Sequence, residues 1–160
     1  MRVLGVDPSL RSTGYAVVEG DRTRQKVVEY GLIRTKVGEP LEASLFHIAE
    51  SLEAILSRHS PDCLSIEDIF TARNMRVALQ LGHVRGAVIL VCRMSGLPAA
   101  QYSATQIKET VAGYGRADKQ QVQYMVTRTL TLSKVPPPDA ADALAAALTH
   151  LFRQDAAANA

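Results

Sequence analysis

RVLGVD at residues 2–7 is a compact apolar run that ends on a carboxylate, and it has the make-up of a central strand. Pro8 and Gly14 bracket a turn behind it, and TGYAVVEG (13–20) follows as a second strand. Residues 21–24 are polar and suit a hairpin connection to a third strand, KVVEYGLIRT (26–35). After Gly38 and Pro40 the hydrophobic period changes. Leu41, Leu45, Ile48, Leu52 and Ile55 recur at helical spacing, which predicts an amphipathic helix to about residue 59, stopped by Pro61. CLSIED (63–68) is a fourth strand that returns after a helix, so it is expected to lie parallel to the first.

The rest of the chain alternates helices with one more strand. Residues 75–94 read as a long, largely apolar helix, with Gly96 to cap it and Pro98 to prevent its continuation. PAAQYS (98–103) is a short fifth strand, and helices are expected over Ala104–Val111 and Lys119–Leu132. The prolines at 136–138 force an extended approach to a last helix, expected to begin at Asp139 and to bury Ala143, Leu144, Ala147, Leu148 and Leu151. The expected fold class is α/β: a five-stranded mixed sheet with helices on both faces, in the ribonuclease-H-like order. Residues 1–154 should form one domain, with residues 155–160 a frayed tail.

A chain of 160 residues, 47% of them hydrophobic, is long enough for a single sizeable core. Its apolar stretches read as too short to span a membrane, and MRVLGVDPSL reads as a strand rather than a signal peptide, so a cytoplasmic location is expected. Cys63 and Cys92 fit neither a disulfide framework nor a metal-ligand spacing and read as buried thiols. The net charge is only +2, yet residues 71–138 hold nine basic side chains against two acidic ones, while the remaining residues hold nine against fourteen. Such segregation suits a polyanionic partner for the middle of the chain, whereas an ordinary solvated face would mix both signs.

Four acids stand out against that basic background. Asp7 and Glu67 end two strands expected to pair in parallel, and the carboxyl ends of such strands are where open sheets place sites. Each also has a plainer reading, as a turn residue and as a solvated strand end. Asp139 and Asp142 lie three apart on one helix face; Asp139 also suits an N-cap, but capping does not need both. Together the four suit two divalent ions that share oxygen ligands, for in-line displacement at phosphorus. His47, His59, His83 and His150 have no mutual spacing that suggests a triad or a metal site and read as structural or exposed.

GVDPSLRSTGYAVVE (5–19), IEDIF (66–70), LGHVRGAVIL (81–90), IKETVAGYGRADKQQVQYMV (107–126) and DAADALAAALTH (139–150) occur in this order across nearly the whole chain. They resemble the motifs of the RuvC family, the crossover-junction endodeoxyribonucleases. The resemblance implies a homodimeric enzyme that nicks opposed strands of a four-way DNA junction. It implies Mg²⁺, two ions per site with Mn²⁺ as a substitute, held by Asp7, Glu67, Asp139 and Asp142. It also implies Lys119 beside the scissile phosphate as a catalytic residue, and Phe70, Arg73, Arg76, Lys108, Arg116 and Lys119 as DNA contacts. Phe70 would reach toward unstacked bases, although core packing is its alternative reading. Family members prefer certain short base sequences and work with a branch-migration motor of the RuvA and RuvB type. Asp68 is a departure from the family pattern; strand alternation turns it away from Glu67, which keeps Glu67 as the ligand. Gly82 and Gly86, four apart on the long helix, suit close approach of a second copy or of the helix to its own sheet. Three rivals remain from the residues alone: another nuclease of the same fold, an actin-like ATP-binding fold, and a DNA-binding scaffold without catalysis.

Overall fold

The computed structural model describes residues 1–68 and 74–158, from residue 155 onward by its backbone alone. Strands β1 (Arg2–Asp7), β2 (Ser12–Gly20) and β3 (Gln25–Arg34) form an antiparallel meander; β4 (Cys63–Asp68) and β5 (Ala99–Ser103) extend it in parallel, giving the order β3-β2-β1-β4-β5. This is the five-stranded mixed sheet of the ribonuclease-H-like arrangement. Helices α1 (Leu41–His59) and α2 (Met75–Met94) cover one face. Helices α3 (Ala104–Ala112), α4 (Lys119–Thr129) and α5 (Pro138–Ala158) cover the other.

The alternation of side chains along β1 sorts the residues between two cores. Leu4 and Val6 pack with Leu64 and Ile66 of β4 against α1 and α2. Val3 packs beneath α5 with Ala16 and Val18 of β2. Gly5 lies on that second side too: a Cβ built there would stand 2.0 Å from the Ala143 carbonyl oxygen. On β2, a Cβ at Gly14 would stand 2.0 Å from the Asp139 carbonyl oxygen. Helix α5 thus rests on β1 and β2 at a separation that only glycine permits. It continues across the sheet, with the Ser65 hydroxyl of β4 donating to the Ala146 carbonyl at 2.6 Å. Over β5, the Tyr102 hydroxyl meets His150 Nδ1 at 2.8 Å.

Three details depart from the sequence reading. Helix α4 ends at Thr129 rather than Leu132: Thr131 takes a left-handed φ of 49°, and the Leu132 N–H folds back to the Thr127 carbonyl at 3.0 Å. That closure resembles the usual glycine-terminated helix end, with threonine in the glycine position. Helix α5 starts at Pro138, one residue early, and the Pro137 carbonyl accepts the Ala141 N–H at 2.8 Å. Proline suits a first helical position because its missing N–H would have no partner there, and Asp139 therefore sits inside the first turn instead of capping it. Third, α2 is long and apolar enough, by length and composition, to cross a membrane, contrary to the expectation that no segment is. Its Val84, Val88, Val91 and Cys92 are buried in the core shared with α1 and the sheet, as in a core helix of a globular fold. Cys63 and Cys92 are free and buried, as expected.

Gly5→Ala should destabilise the protein by about 1–3 kcal/mol or more, since its methyl group meets helix backbone rather than a side chain that can rotate away. Urea denaturation checks this; a midpoint within error of wild type would mean that α5 is not seated as described.

Candidate active site

Pairing in the sheet brings the first two acids together. Val6 of β1 is opposite Ile66 of β4, so Asp7 and Glu67 follow as neighbours at the two strand ends. Asp7 is opposite Gly14 of β2, and Gly14 lies directly beneath Asp139. One helical turn on, Asp142 faces the same region. Asp7, Glu67 and Asp142 line a cavity of about 260 Å³, together with Lys108 of α3 and Lys119 of α4. The Lys119 ammonium donates to Asp142 Oδ2 at 3.1 Å.

The electrostatics report the crowding. Burial, and then repulsion from Asp142, Asp139 and Glu67, push the Asp7 carboxyl up to about 7, against the pull of Lys119. Burial, followed by the charge of Asp142, also raises Glu67, with Lys119 and Lys108 opposing. Lys119 is in turn raised by the charge and the hydrogen bond of Asp142. Among the described residues no group of three His, Cys, Asp or Glu side chains stands close enough together to hold a metal ion as placed. The donor set is carboxylate oxygen throughout, which fits a hard divalent cation and not a thiolate- or imidazole-seeking one. A shared cation would relieve the repulsion that adds to burial in raising Asp7, so the residues fit the group that the sequence implied.

Asp68 and Glu67 part company as strand alternation requires. Arg85, in the middle of α2, donates through Nη2 to Asp68 Oδ1 at 3.3 Å and to Gln101 Oε1 at 2.5 Å, and through Nε to the Glu67 carbonyl at 3.4 Å. Asp68 is thus half of an ion pair on the α2 side, and Arg85 fixes the strand end from which Glu67 projects. Sequence reading missed this role, although Arg85, set mid-helix between the valines and leucines of α2, was a usable signal. Of the other expected DNA contacts, Arg76 and Arg116 are exposed, at the start of α2 and between α3 and α4. Phe70 and Arg73 lie outside the described residues.

The raised Asp7 carboxyl has a thermodynamic consequence. Its folded pKa of about 7 exceeds the ordinary aspartate value, so the native state holds the proton more tightly than the unfolded chain does. The resulting penalty is absent below the unfolded pKa, grows as pH rises toward the folded one, and is complete above it. In EDTA at about pH 8, Asp7→Asn should therefore raise Tm by roughly 4 °C or more, corresponding to about 1 kcal/mol or more. The gap should close near pH 4, and excess Mg²⁺ should narrow it by stabilising wild type. A mutant that melts below wild type in EDTA at the higher pH would contradict the crowded-carboxylate description.

The family model "Crossover junction endodeoxyribonuclease RuvC" matches residues 3–150. A relative of that name from Magnetococcus marinus is 46% identical over 94% of this chain and 84% of its own length. Another, from Pelotomaculum thermopropionicum, is 46% identical over 94% and 92%. The solved structure "T. thermophilus RuvC in complex with Holliday junction substrate" superposes with a TM-score of 0.93 at 31% identity, covering 98% of this chain and 96% of that one. With four acids gathered where two strand ends meet a helix, and with that match over nearly its whole length, the chain belongs to the RuvC family of crossover junction endodeoxyribonucleases.

Proposed function

We propose that this protein resolves four-way DNA junctions by paired, divalent-metal-dependent hydrolysis of phosphodiester bonds, in recombination and repair. The observation that carries the reading is the acidic cavity itself: Asp7, Glu67 and Asp142 face one space, and Lys108 and Lys119 stand at its wall. Asp7, Glu67, Asp139 and Asp142 would hold two Mg²⁺ ions, with Mn²⁺ as a substitute. Bound there, the cations supply an activated water and offset charge on the leaving 3′-oxygen. The protein's own groups do the rest. Lys108 and Lys119 draw the phosphate into the cavity, and Lys119, freed from Asp142, is placed to meet the charge that builds on it. Arg85 keeps the Glu67 strand end in register.

The surplus of positive charge over residues 71–138 suits the arms of the junction, with Arg73, Arg76 and Arg116 as further contacts and Phe70 against unstacked bases. A homodimer fits the outer face of α2. Leu79, Leu90 and Met94 are 58%, 59% and 75% exposed there, and Gly82 and Gly86 have open space beside them. Their spacing puts them on one side of the helix, with the exposed His83 and Arg93 among them, and a two-fold axis would bury that side against its copy. A cytoplasmic location follows from the substrate, and the partner implied by the resemblance is a branch-migration motor of the RuvA and RuvB type.

Gel electrophoresis of a synthetic four-way junction, a linear duplex and an RNA–DNA hybrid, each with Mg²⁺, Mn²⁺ or EDTA, tests the reading. The expected products are symmetric nicks in opposed strands of the junction, with either metal and not in EDTA. Equal cutting of the duplex, cutting of the hybrid, or incision of one junction strand only would contradict it.

A further inference from the structure

Asp7 separates the acidic cavity from a second one of about 450 Å³. One wall of this second cavity is the loop leaving β1, through Pro8 and Leu10; the other is the first turns of α2, through Val77 and Leu81. Pro8, Leu10, Val77 and Leu81 make these walls apolar in part, and Asp7, Ser9, Arg11 and Gln80 bring a comparable share of polar groups. The loop is held firmly. The buried Thr13 hydroxyl donates to the Ser9 carbonyl at 2.6 Å and accepts from the Ser9 N–H at 3.2 Å. Thr35 donates to the Leu10 carbonyl at 2.6 Å, while Arg11 donates to Thr35 Oγ1 and to the Lys36 carbonyl. On the other side, Asn74 caps α2 by accepting the Arg76 N–H at 2.9 Å. A cavity of this size, with mixed apolar and polar walls on a fixed frame, suits a flat ring that carries polar groups on its edge.

We propose that this cavity receives the nucleobase beside the cleaved phosphate, and that Gln80 reads its edge, making Gln80 a determinant of sequence preference. The inference rests on the junction-nuclease reading and extends it. A strand whose phosphate is held on one side of Asp7 has a flanking nucleotide within reach of the other side. Bases at a junction crossover leave their stack at lower cost than bases within a duplex, so a flat ring can enter between Leu10 and the α2 wall. The Gln80 amide carries one acceptor and two donor hydrogens, which allows paired hydrogen bonds to one base edge and not to others. Arg11, anchored to the β3 end, sets a positive charge at the rim for the sugar–phosphate chain.

The test is cleavage of a junction library with randomised base pairs at the crossover, followed by sequencing of the products. Wild type should show a base preference at a position flanking the cut. Gln80→Leu keeps the volume and removes the amide; it should reduce that preference by roughly tenfold, leaving other positions and junction affinity unchanged. Val77→Trp, at a position already 53% exposed, should fill the cavity and slow cleavage at unchanged junction affinity. A Gln80→Leu profile identical to wild type, or a Val77→Trp protein that cuts at the wild-type rate, overturns the base pocket alone. A wild type that cuts no junction overturns the nuclease reading and this one with it.

Discussion

The carbonyl oxygens of Asp139 and Ala143 lie 2.0 Å from where Cβ atoms at Gly14 and Gly5 would stand, and the site depends on that closeness. A helix packed on larger side chains would ride further above the sheet and carry Asp139 and Asp142 away from Asp7 and Glu67. Alanines 140, 143, 146 and 147, all buried, make the helix side of the contact equally thin. Ser65, donating to the Ala146 carbonyl, keeps the same spacing over β4. The packing that closes this core is therefore also what assembles the carboxylates.

Closeness has an electrostatic cost that the chain meets only in part. Asp7, Glu67 and Asp142 line a half-buried space, Asp139 lies outside its lining but near enough to act on Asp7, and Lys119 answers Asp142 at 3.1 Å. The burden falls on Asp7, whose carboxyl is pushed up to about 7, first by burial and then by its acidic neighbours. Such a cluster gains from any divalent cation that enters it, because a ligand bound only by the native state stabilises that state by mass action. The group beside the acids is the Lys119 ammonium, on a side chain that is 80% exposed. Lys119 lies outside both buried clusters, so its side chain is not part of the core packing.

Much of this was legible in the sequence because period-two alternation is a strong constraint. Once CLSIED is a strand, Glu67 and Asp68 must face opposite ways; the register Val6 opposite Ile66, which the sequence does not fix, is what sets Glu67 beside Asp7. The charge-poor α5 stripe likewise announces a buried helix whose first turn carries two acids. What could not be read were facts that exist only between elements. Gly5 and Gly14 look like ordinary strand glycines until α5 lies on them. The tie from Arg85 to Asp68 and Gln101 joins three elements distant in sequence. Thr131 ends α4 with a left-handed φ of 49° that its residue type does not advertise, and the loop after Asp7 becomes a cavity wall only through Thr13 and Thr35.

Anomalous diffraction from crystals equilibrated with Mn²⁺ tests the central claim most directly, because it locates the cation without relying on turnover. Anomalous density bounded by the carboxylates of Asp7, Glu67, Asp139 and Asp142, with Lys119 drawn off Asp142, is the predicted result. Manganese bound only elsewhere on the protein, with the Lys119–Asp142 pair intact and the four acids unliganded, would contradict it.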